Sequence, residues 1–330
     1  MLKLSPPGFG RLVQAHQFDV GYSGAEANVA VSLSNFGVST VFLSVVPDNE
    51  MGTAAMNAVR KYGVDTSSIV RMGERLGIYF TEKGASQRPS KVLYDRKGSA
   101  ISSIDDGCFD WDSVFSDAKW FHFTGITPAL SDSLANTCLE ACKIAKSKGV
   151  TVSCDLNFRS KLWSNEQANK VMKGIFQYVD VCIANETDIK DVFGIGPCLD
   201  DVEHGVIDEK SYSRTAKTLM DMFGLRVVCV TLRQSISASD NNWSAILYDG
   251  KSVYSSRKYS IHLVDRIGGG DSFSAGLIYG LLNGYDMQYV LDFAVAASCL
   301  KQTIEGDFNL VTVGEVNDLM ATIGTGRIQR

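Results

Sequence analysis

Residues 265–273, Asp-Arg-Ile-Gly-Gly-Gly-Asp-Ser-Phe, carry the sharpest chemical signal in the chain. Consecutive glycines let backbone N–H groups approach a bulky anion, because no Cβ intervenes. The apolar periodicity that follows predicts a helix, whose first turn adds unpaired N–H donors and a positive dipole end. The amides of Gly268, Gly269 and Gly270 therefore predict an anion hole suited to a phosphate. Asp271 beside it would then remove a proton from the group that attacks that phosphate.

A second interpretation of the same run is a flexible turn in which Asp271 caps the helix, since aspartate is a favoured N-cap residue. The run alone leaves both interpretations open. Other polar residues fall where predicted strands end, and in open α/β sheets that edge holds the ligand site. We therefore expect one rim to carry the glycine run together with these residues: Asp155, Asn157, Arg159, Asn185, Asp188, Thr231 and Arg233.

From Lys119 onward, apolar strand-like runs alternate with helical patterns. Such alternation is typical of a parallel sheet covered by helices on both faces. The sequence predicts a three-layer α/β/α sandwich with a mainly parallel central sheet, built from residues 24–76 and 97–330. Residues 9–23 and the hairpin-like segment 77–96 predict a small β-sheet lid. The alternative for the hairpin is an edge of the central sheet.

Composition excludes several classes of protein. The 330 residues are 45% hydrophobic and 21% charged with a formal charge of −5, which gives no electrostatic support for nucleic-acid binding. No apolar run is long enough to span a membrane and the start lacks a signal-peptide core, so we expect a cytoplasmic protein. The eight cysteines are scattered and the four histidines show no ligand spacing. We expect reduced thiols and no zinc site.

The chain lacks the Gly-x-x-x-x-Gly-Lys-Ser/Thr loop, the dinucleotide-binding fingerprint, the protein-kinase His-Arg-Asp loop and the Gly-x-Ser-x-Gly elbow. Its ordered motifs instead resemble those of the ribokinase-like (PfkB) carbohydrate kinase family. Residues 265–271 resemble the signature Asp-Thr-x-Gly-Ala-Gly-Asp, residues 24–30 (Gly-Ala-Glu-Ala-Asn-Val-Ala) resemble the N-terminal signature, and residues 185–188 (Asn-Glu-Thr-Asp) resemble Asn-x-x-Glu. These matches span nearly the whole chain.

The resemblance implies an α/β sandwich with a β lid and Mg-ATP as the phosphoryl donor. It implies that Asp271 is the base and that the amides of Gly268–Gly270 hold the charge on the phosphates. By this resemblance, Asn185 and Asp188 would lie near Mg²⁺ and contact it through water, since magnesium prefers oxygen ligands and retains water; a helix cap is the alternative. Thr231 falls at a nucleotide contact, with a buried strand-end threonine as the alternative. Arg233 stands where the family has a glycine pattern, and we count it as cofactor-binding.

Within the family, the motifs are most similar to those of kinases that act on 2-keto-3-deoxygluconate. The similarity lies in residues 94–100, 124–130 and 155–159, and it implies phosphorylation of the 6-hydroxyl to give 2-keto-3-deoxy-6-phosphogluconate. Arginine reads a planar carboxylate through paired donors. The predicted substrate contacts are Arg96 and Arg159 to the carboxylate, hydroxyls of Tyr79 and Tyr94, and Gly24 and Asn28 to the sugar.

Alternatives remain at this point. Each arginine could form a surface salt bridge, and the protein could phosphorylate fructose, ribose or a related hexonate, or bind a sugar or nucleotide without catalysis. Only Met1–Leu4 precede a segment that the family usually places after a full apolar strand, so we expect most of the first central strand to be missing. Unpaired strand edges in a lid favour a homodimer or higher homo-oligomer through the lid. The chain departs from the family signatures at Ser23, Asp188, Arg266 and Gly269.

Overall fold

A computed structural model describes residues 1–105, 107–185, 187–196 and 209–322. Its strands are β1 (Leu2–Ser5), β2 (Asp19–Tyr22), β3 (Ser44–Val46), β4 (Ile69–Arg71), β5 (Ile78–Glu82), β6 (Lys91–Asp95), β7 (Trp120–Thr124), β8 (Thr151–Asp155), β9 (Val181–Asn185), β10 (Val227–Ser235), β11 (Asp240–Tyr248), β12 (Val253–Ser255) and β13 (Tyr259–His262). Its α-helices are α1 (Ala25–Asn35), α2 (Glu50–Arg60), α3 (Trp111–Val114), α4 (Asp132–Ser147), α5 (Asn165–Phe176), α6 (Asp188–Phe193), α7 (Glu209–Phe223), α8 (Gly269–Leu282), α9 (Met287–Lys301) and α10 (Val313–Ala321).

The large sheet has the strand order β12-β11-β10-β9-β8-β7, and β13 also pairs with β11. Strands β7 to β10 are parallel to one another, whereas β11 runs antiparallel to β10 and pairs antiparallel with β12 and β13. The parallel strands end together on one edge, which gathers the polar residues that follow β8, β9 and β10. The expected rim therefore exists.

Helices cover both faces of this sheet because its strands alternate their side chains. Cys182 and Ala184 of β9 pack into the apolar cluster that also contains α4, α5 and α7, while Val181 and Ile183 pack against α8 and α9. Both faces of a parallel sheet are buried, so its strands read as continuous apolar runs. The predicted three-layer α/β/α sandwich is confirmed.

A separate four-stranded sheet has the order β2-β1-β5-β6. The segment 77–96 supplies β5 and β6 as an antiparallel hairpin of this sheet, not as an edge of the large sheet. Segment 9–23 contributes only β2. The first residues also belong to the small sheet: Leu2–Ser5 pairs antiparallel with β2 and parallel with β5. The small sheet therefore includes residues outside the predicted lid segments 9–23 and 77–96, and these first residues supply no strand to the large sheet.

Candidate active site

A cleft of about 990 Å³ lies between the polar edge of the large sheet, the start of α8 and the small sheet. Gly269 is the one predicted site residue that does not line it. Gly269 instead packs closely against Gln302, since a Cβ at this position would lie 3.1 Å from the Gln302 side chain. The predicted residues that line the cleft are Gly24, Asn28, Tyr79, Tyr94, Arg96, Arg159, Asn185, Asp188, Thr231, Arg233, Gly268, Gly270 and Asp271.

The glycine loop combines a tight packing position with an open one. Gly268 precedes α8 with φ +83°, and a Cβ there would fall 2.0 Å from the carbonyl oxygen of Asp307. A Cβ on Gly270 would meet nothing within 4 Å. Gly270 and Asp271 lie in the first turn of α8, where amides have no acceptor within the helix. The Gly269 amide donates to the Arg266 carbonyl at 3.3 Å, so the amides of Gly270 and Asp271 are the donors left for an anion.

The Asp271 carboxyl group is poised to exchange a proton near neutral pH. Its Oδ2 accepts a hydrogen bond from Asn28 Nδ2 at 2.6 Å, and Ser23 Oγ donates to Asn28 Oδ1 at 3.2 Å. Burial raises the pKa of Asp271 to about 7; the Asn28 hydrogen bond opposes this, the charges of Asp307 and Glu26 add to it, and Arg159 opposes it. A base is most useful when its pKa lies near the working pH.

A buried ion network ties the small sheet to the glycine loop. Lys3 Nζ of β1 lies 3.2 Å from Asp265 Oδ2 and 2.5 Å from Asp307 Oδ1. Tyr79 of β5 donates its hydroxyl to the second oxygen of Asp307. On the far side, Lys301 donates to the carbonyl oxygens of Asp265 at 3.1 Å and of residue 306 at 2.6 Å. The loop that carries the anion hole is therefore fixed from two sides.

This network changes the interpretation of Tyr79. The sequence predicts a hydroxyl offered to a substrate, but the side chain is 4% exposed and its hydroxyl is engaged by Asp307. Burial and the Asp307 charge raise its pKa well above the usual value. What remains for Tyr79 is its ring, which stacks on Tyr94 with centroids 6.1 Å apart.

Two neighbouring guanidinium groups line the cleft, Arg96 after β6 of the small sheet and Arg159 after β8 of the large sheet. Arg96 stands over the Tyr94 ring at 4.3 Å, and Arg159 Nη1 donates to the Phe158 carbonyl at 2.8 Å. Burial and then the positive charge of Arg159 lower the pKa of Arg96, so the two cations are neighbours. Neither arginine has a salt bridge to a carboxylate within the described residues. The pair can hold an anionic group.

Asn185 and Asp188 form a reciprocal cap at the start of α6. Asn185 Oδ1 accepts from the Thr187 and Asp188 amides at 2.9 and 3.0 Å, and Asp188 Oδ2 accepts from the Asn185 amide at 3.1 Å. Asp188 Oδ1 accepts from the Phe158 amide at 3.2 Å. Over the part of the chain described, no three His, Cys, Asp or Glu residues could hold a metal ion together. The oxygens suit hydrogen bonds from metal-bound water rather than a complete ligand shell. Glu186 of the same motif lies outside the described residues.

The remaining predicted nucleotide contacts differ from each other. Thr231 is 8% exposed and its Oγ1 donates to the Ala184 carbonyl at 3.3 Å, which is the buried strand-end arrangement. Arg233 is exposed, and its guanidinium lies 5.5 Å from the centre of the Trp243 ring. Of these two residues, only Arg233 presents a positive charge in the cleft that could contact a nucleotide phosphate.

Sequence reasoning missed several residues that shape the site. Glu26 Oε1 accepts from the Thr124 amide at 3.1 Å and from the Thr124 and Thr127 hydroxyls at 2.9 and 2.6 Å, which fixes the segment after β7. Its place inside the N-terminal motif was the available signal. Lys3 and Asp307 are separated by 304 positions, and no local pattern connects them.

Comparisons with known proteins agree with this geometry. The pfkB family carbohydrate kinase model matches residues 2–309. A 2-dehydro-3-deoxygalactonokinase from Haloferax volcanii is 33% identical over 97% of the chain and 94% of its own length.

Solved structures give the same result. A 2-dehydro-3-deoxygluconokinase from Thermotoga maritima is 48% identical, with a TM-score of 0.94 over 98% of this chain and 97% of that one. A putative 2-keto-3-deoxygluconate kinase from Enterococcus faecalis is 26% identical, with a TM-score of 0.91 over 100% and 96% of the two chains. In the described part of the chain, no helix has the length and apolarity needed to cross a bilayer.

Proposed function

Because the chain belongs to the pfkB family of carbohydrate kinases, we propose that it transfers the γ-phosphoryl group of ATP to the 6-hydroxyl of 2-keto-3-deoxygluconate. The family and the enzyme class predicted from the motifs are confirmed by the match over residues 2–309. The sugar-acid substrate is supported by the similarity to sugar-acid kinases at 33% and 48% identity. Fructose, ribose and a non-catalytic binding role have less support.

One observation carries the proposal: the Asp271 carboxyl shares one cleft with the glycine loop and with the neighbouring Arg96 and Arg159. Burial raises the pKa of this carboxyl to about 7. Arg96 and Arg159 bind the substrate carboxylate, and the Tyr94 ring supports Arg96. This places the far end of the sugar acid toward Asp271. A neutral sugar would leave two partly buried cations without an anion, which is unfavourable.

The protein's own groups then carry out the transfer. Asn28 holds the Asp271 carboxyl in place, and Asp271 takes the proton of the 6-hydroxyl as that oxygen attacks. The amides around Gly270 stabilise the charge that builds on the transferred group. Asn185 and Asp188 would hold magnesium through its bound water, and the metal, when bound with ATP, would neutralise phosphate charge. Closure of the small sheet excludes water that would compete for the phosphoryl group.

A second candidate substrate is the galactonate epimer, because the 33% identical relative is named for it. The two acids share the carboxylate, the keto group and the terminal hydroxyl, so the residues described above suit both. The test is initial-rate kinetics with ATP and magnesium on both epimers, 5-dehydro-2-deoxygluconate, fructose and ribose. The expected result is a higher kcat/KM for one of the 2-keto acids than for either neutral sugar. A neutral sugar as best substrate would reject the proposal.

The location and assembly are part of the same proposal. A cytoplasmic enzyme fits the seven described cysteines, all unpaired. The small sheet exposes Val20 at 64% and Leu93 at 54%, which favours a homodimer or larger homo-oligomer through this sheet. Light scattering of the wild type and of Val20→Asp measures it: a monomeric wild type would reject lid pairing.

A further inference from the structure

A second pair of arginines lines the cleft beside the glycine run. Arg266 directly precedes the glycine run and Arg233 lies near the end of β10; both line the cleft together with Gly268 and Gly270. Burial lowers the pKa of Arg266, and the positive charge of Arg233 lowers it further. The two guanidinium groups are therefore close enough to repel each other. The charge of Arg159 acts on Arg96 and the charge of Arg233 acts on Arg266, so the cleft contains two pairs of neighbouring arginines.

The Arg266 side chain is held in place by one hydrogen bond, but another of its N–H donors has no acceptor among the residues described. One guanidinium nitrogen donates to the amide oxygen of Asn241 at 3.1 Å, in the amide orientation that also lets Asn241 donate to the Asp240 carbonyl. Its Nε is buried and has no hydrogen-bond partner within the described residues. A buried donor without an acceptor is costly, and a bound anion would supply that acceptor.

The backbone on both sides of Arg266 is rigid. The Ile267 amide donates to Asp265 Oδ1 at 3.2 Å, and the Asp265 carbonyl accepts from Lys301. The Asp265 amide donates to the Gln302 carbonyl at 3.3 Å. A guanidinium on such a fixed loop is presented at low entropic cost, which suits it to a specific contact.

We propose that Arg266, acting with Arg233, binds the polyphosphate chain of the nucleotide donor. The inference rests on the proposed function, since it assigns ATP to the part of the cleft beside the glycine run. A polyphosphate carries several negative charges and presents oxygens that a planar guanidinium reads through paired donors. The loop thus adds a side-chain cation to its backbone amides: the amides around Gly270 face the transferred group, and Arg266 and Arg233 hold the remaining phosphates.

Binding measurements without a sugar acid separate this inference from the proposed reaction. Calorimetry with magnesium and a non-hydrolysable ATP analogue, ADP or AMP is carried out on the wild type, Arg266→Met, Arg233→Met and the double variant. Loss of a charge-assisted contact should weaken the ATP analogue roughly 10- to 100-fold for Arg266→Met. AMP, which lacks the chain, should change by less than about threefold. The loss of ATP-analogue affinity in the double variant should be smaller than the product of the two single losses, because both arginines hold one ligand.

Controls and contrary outcomes are defined by the same series. Arg60→Met removes an exposed arginine on α2 outside the cleft and should bind all three nucleotides as the wild type does. Arg266→Lys keeps the charge and should recover part of the affinity; it also serves as the folded test if Arg266→Met does not fold. Unchanged affinity for the ATP analogue, equal weakening of AMP, or an effect confined to the KM of the sugar acid would each overturn the assignment. A wild type that binds ATP through Arg266 but phosphorylates no sugar acid would reject the proposed function alone.

Discussion

Two turns facing the same cleft each place an aspartate in the first turn of a helix, and the two carboxyl groups are held in opposite ways. Both oxygens of Asp188 accept backbone amides, from Asn185 and Phe158, and the residue is 3% exposed. Asp271 is half-buried, and among the described residues only the Asn28 side chain donates to it. A carboxyl whose two oxygens are both held by backbone donors fixes chain geometry and keeps only its remaining lone pairs for water, whereas one with a free oxygen can take a proton.

The same contrast separates the pKa values. Burial raises the pKa of Asp188 to about 6 against the opposing pull of its two backbone hydrogen bonds and Arg159. For Asp271, burial and two nearby carboxylates raise it to about 7. An aspartate at a helix start is thus a cap in one turn and a base in the other. The difference is that backbone amides donate to Asp188, whereas a side-chain amide donates to Asp271.

The largest expected effect is a loss of kcat on substitution of Asp271. Asp271→Asn keeps the shape and the Asn28 neighbour but cannot take the proton, so kcat should fall about 10²- to 10⁴-fold. Calorimetry should show nearly unchanged ATP affinity. Asp188→Asn is the matched control, and it should lose far less activity. Comparable losses in both variants would mean that the two carboxyls are not functionally distinct.

The next largest effect should come from the neighbouring pair Arg96 and Arg159. Arg159→Met removes a charged partner of the substrate carboxylate, so the KM for 2-keto-3-deoxygluconate should rise roughly 10- to 100-fold. The small residual rate with fructose should not change, since fructose has no carboxylate. Arg60→Met, which removes an exposed arginine outside the cleft, is the control. Equal losses with both sugars would indicate a structural role for Arg159.

Asn28 should have a smaller effect that sharpens the account of Asp271. The Asn28 hydrogen bond favours the charged carboxylate, so Asn28→Ala should raise the Asp271 pKa above about 7. The pH midpoint of kcat/KM should therefore move upward, with the high-pH plateau less affected than the rate at pH 6. A midpoint that stays fixed would show that Asn28 does not tune the base.

The smallest effect on turnover, and a clear one on stability, is expected at Asp188. In Asp188→Asn the amide can accept only one of the two backbone hydrogen bonds, which should cost about 1–3 kcal/mol of unfolding free energy. Urea unfolding monitored by circular dichroism measures it. An unchanged midpoint would mean that the cap contributes no stability, and the metal-linked role of this turn would then need separate support.

Local pattern was sufficient for the central sheet and for the residues that meet at its edge. The continuous apolar run of β9 and the glycine run before α8 are visible in the sequence, and both lead to the observed cleft. The predicted lid omitted Leu2–Ser5, because the partners of this strand are set by register with residues 19–22 and 78–80, which composition does not encode. The hydroxyl of Tyr79 was assigned to the substrate because its true acceptor, Asp307, lies 228 positions away.

The pH dependence of kcat/KM tests the central claim most directly. The Asp271 carboxyl must be deprotonated in the free enzyme to accept the hydroxyl proton, and its pKa is raised to about 7. The rate should therefore increase about tenfold per pH unit below the midpoint and level off above it, in the wild type and in Asp188→Asn alike. A profile that stays flat from about pH 5 to 9 with the best sugar acid, measured where chemistry limits the rate, would contradict the assignment of Asp271 as the base.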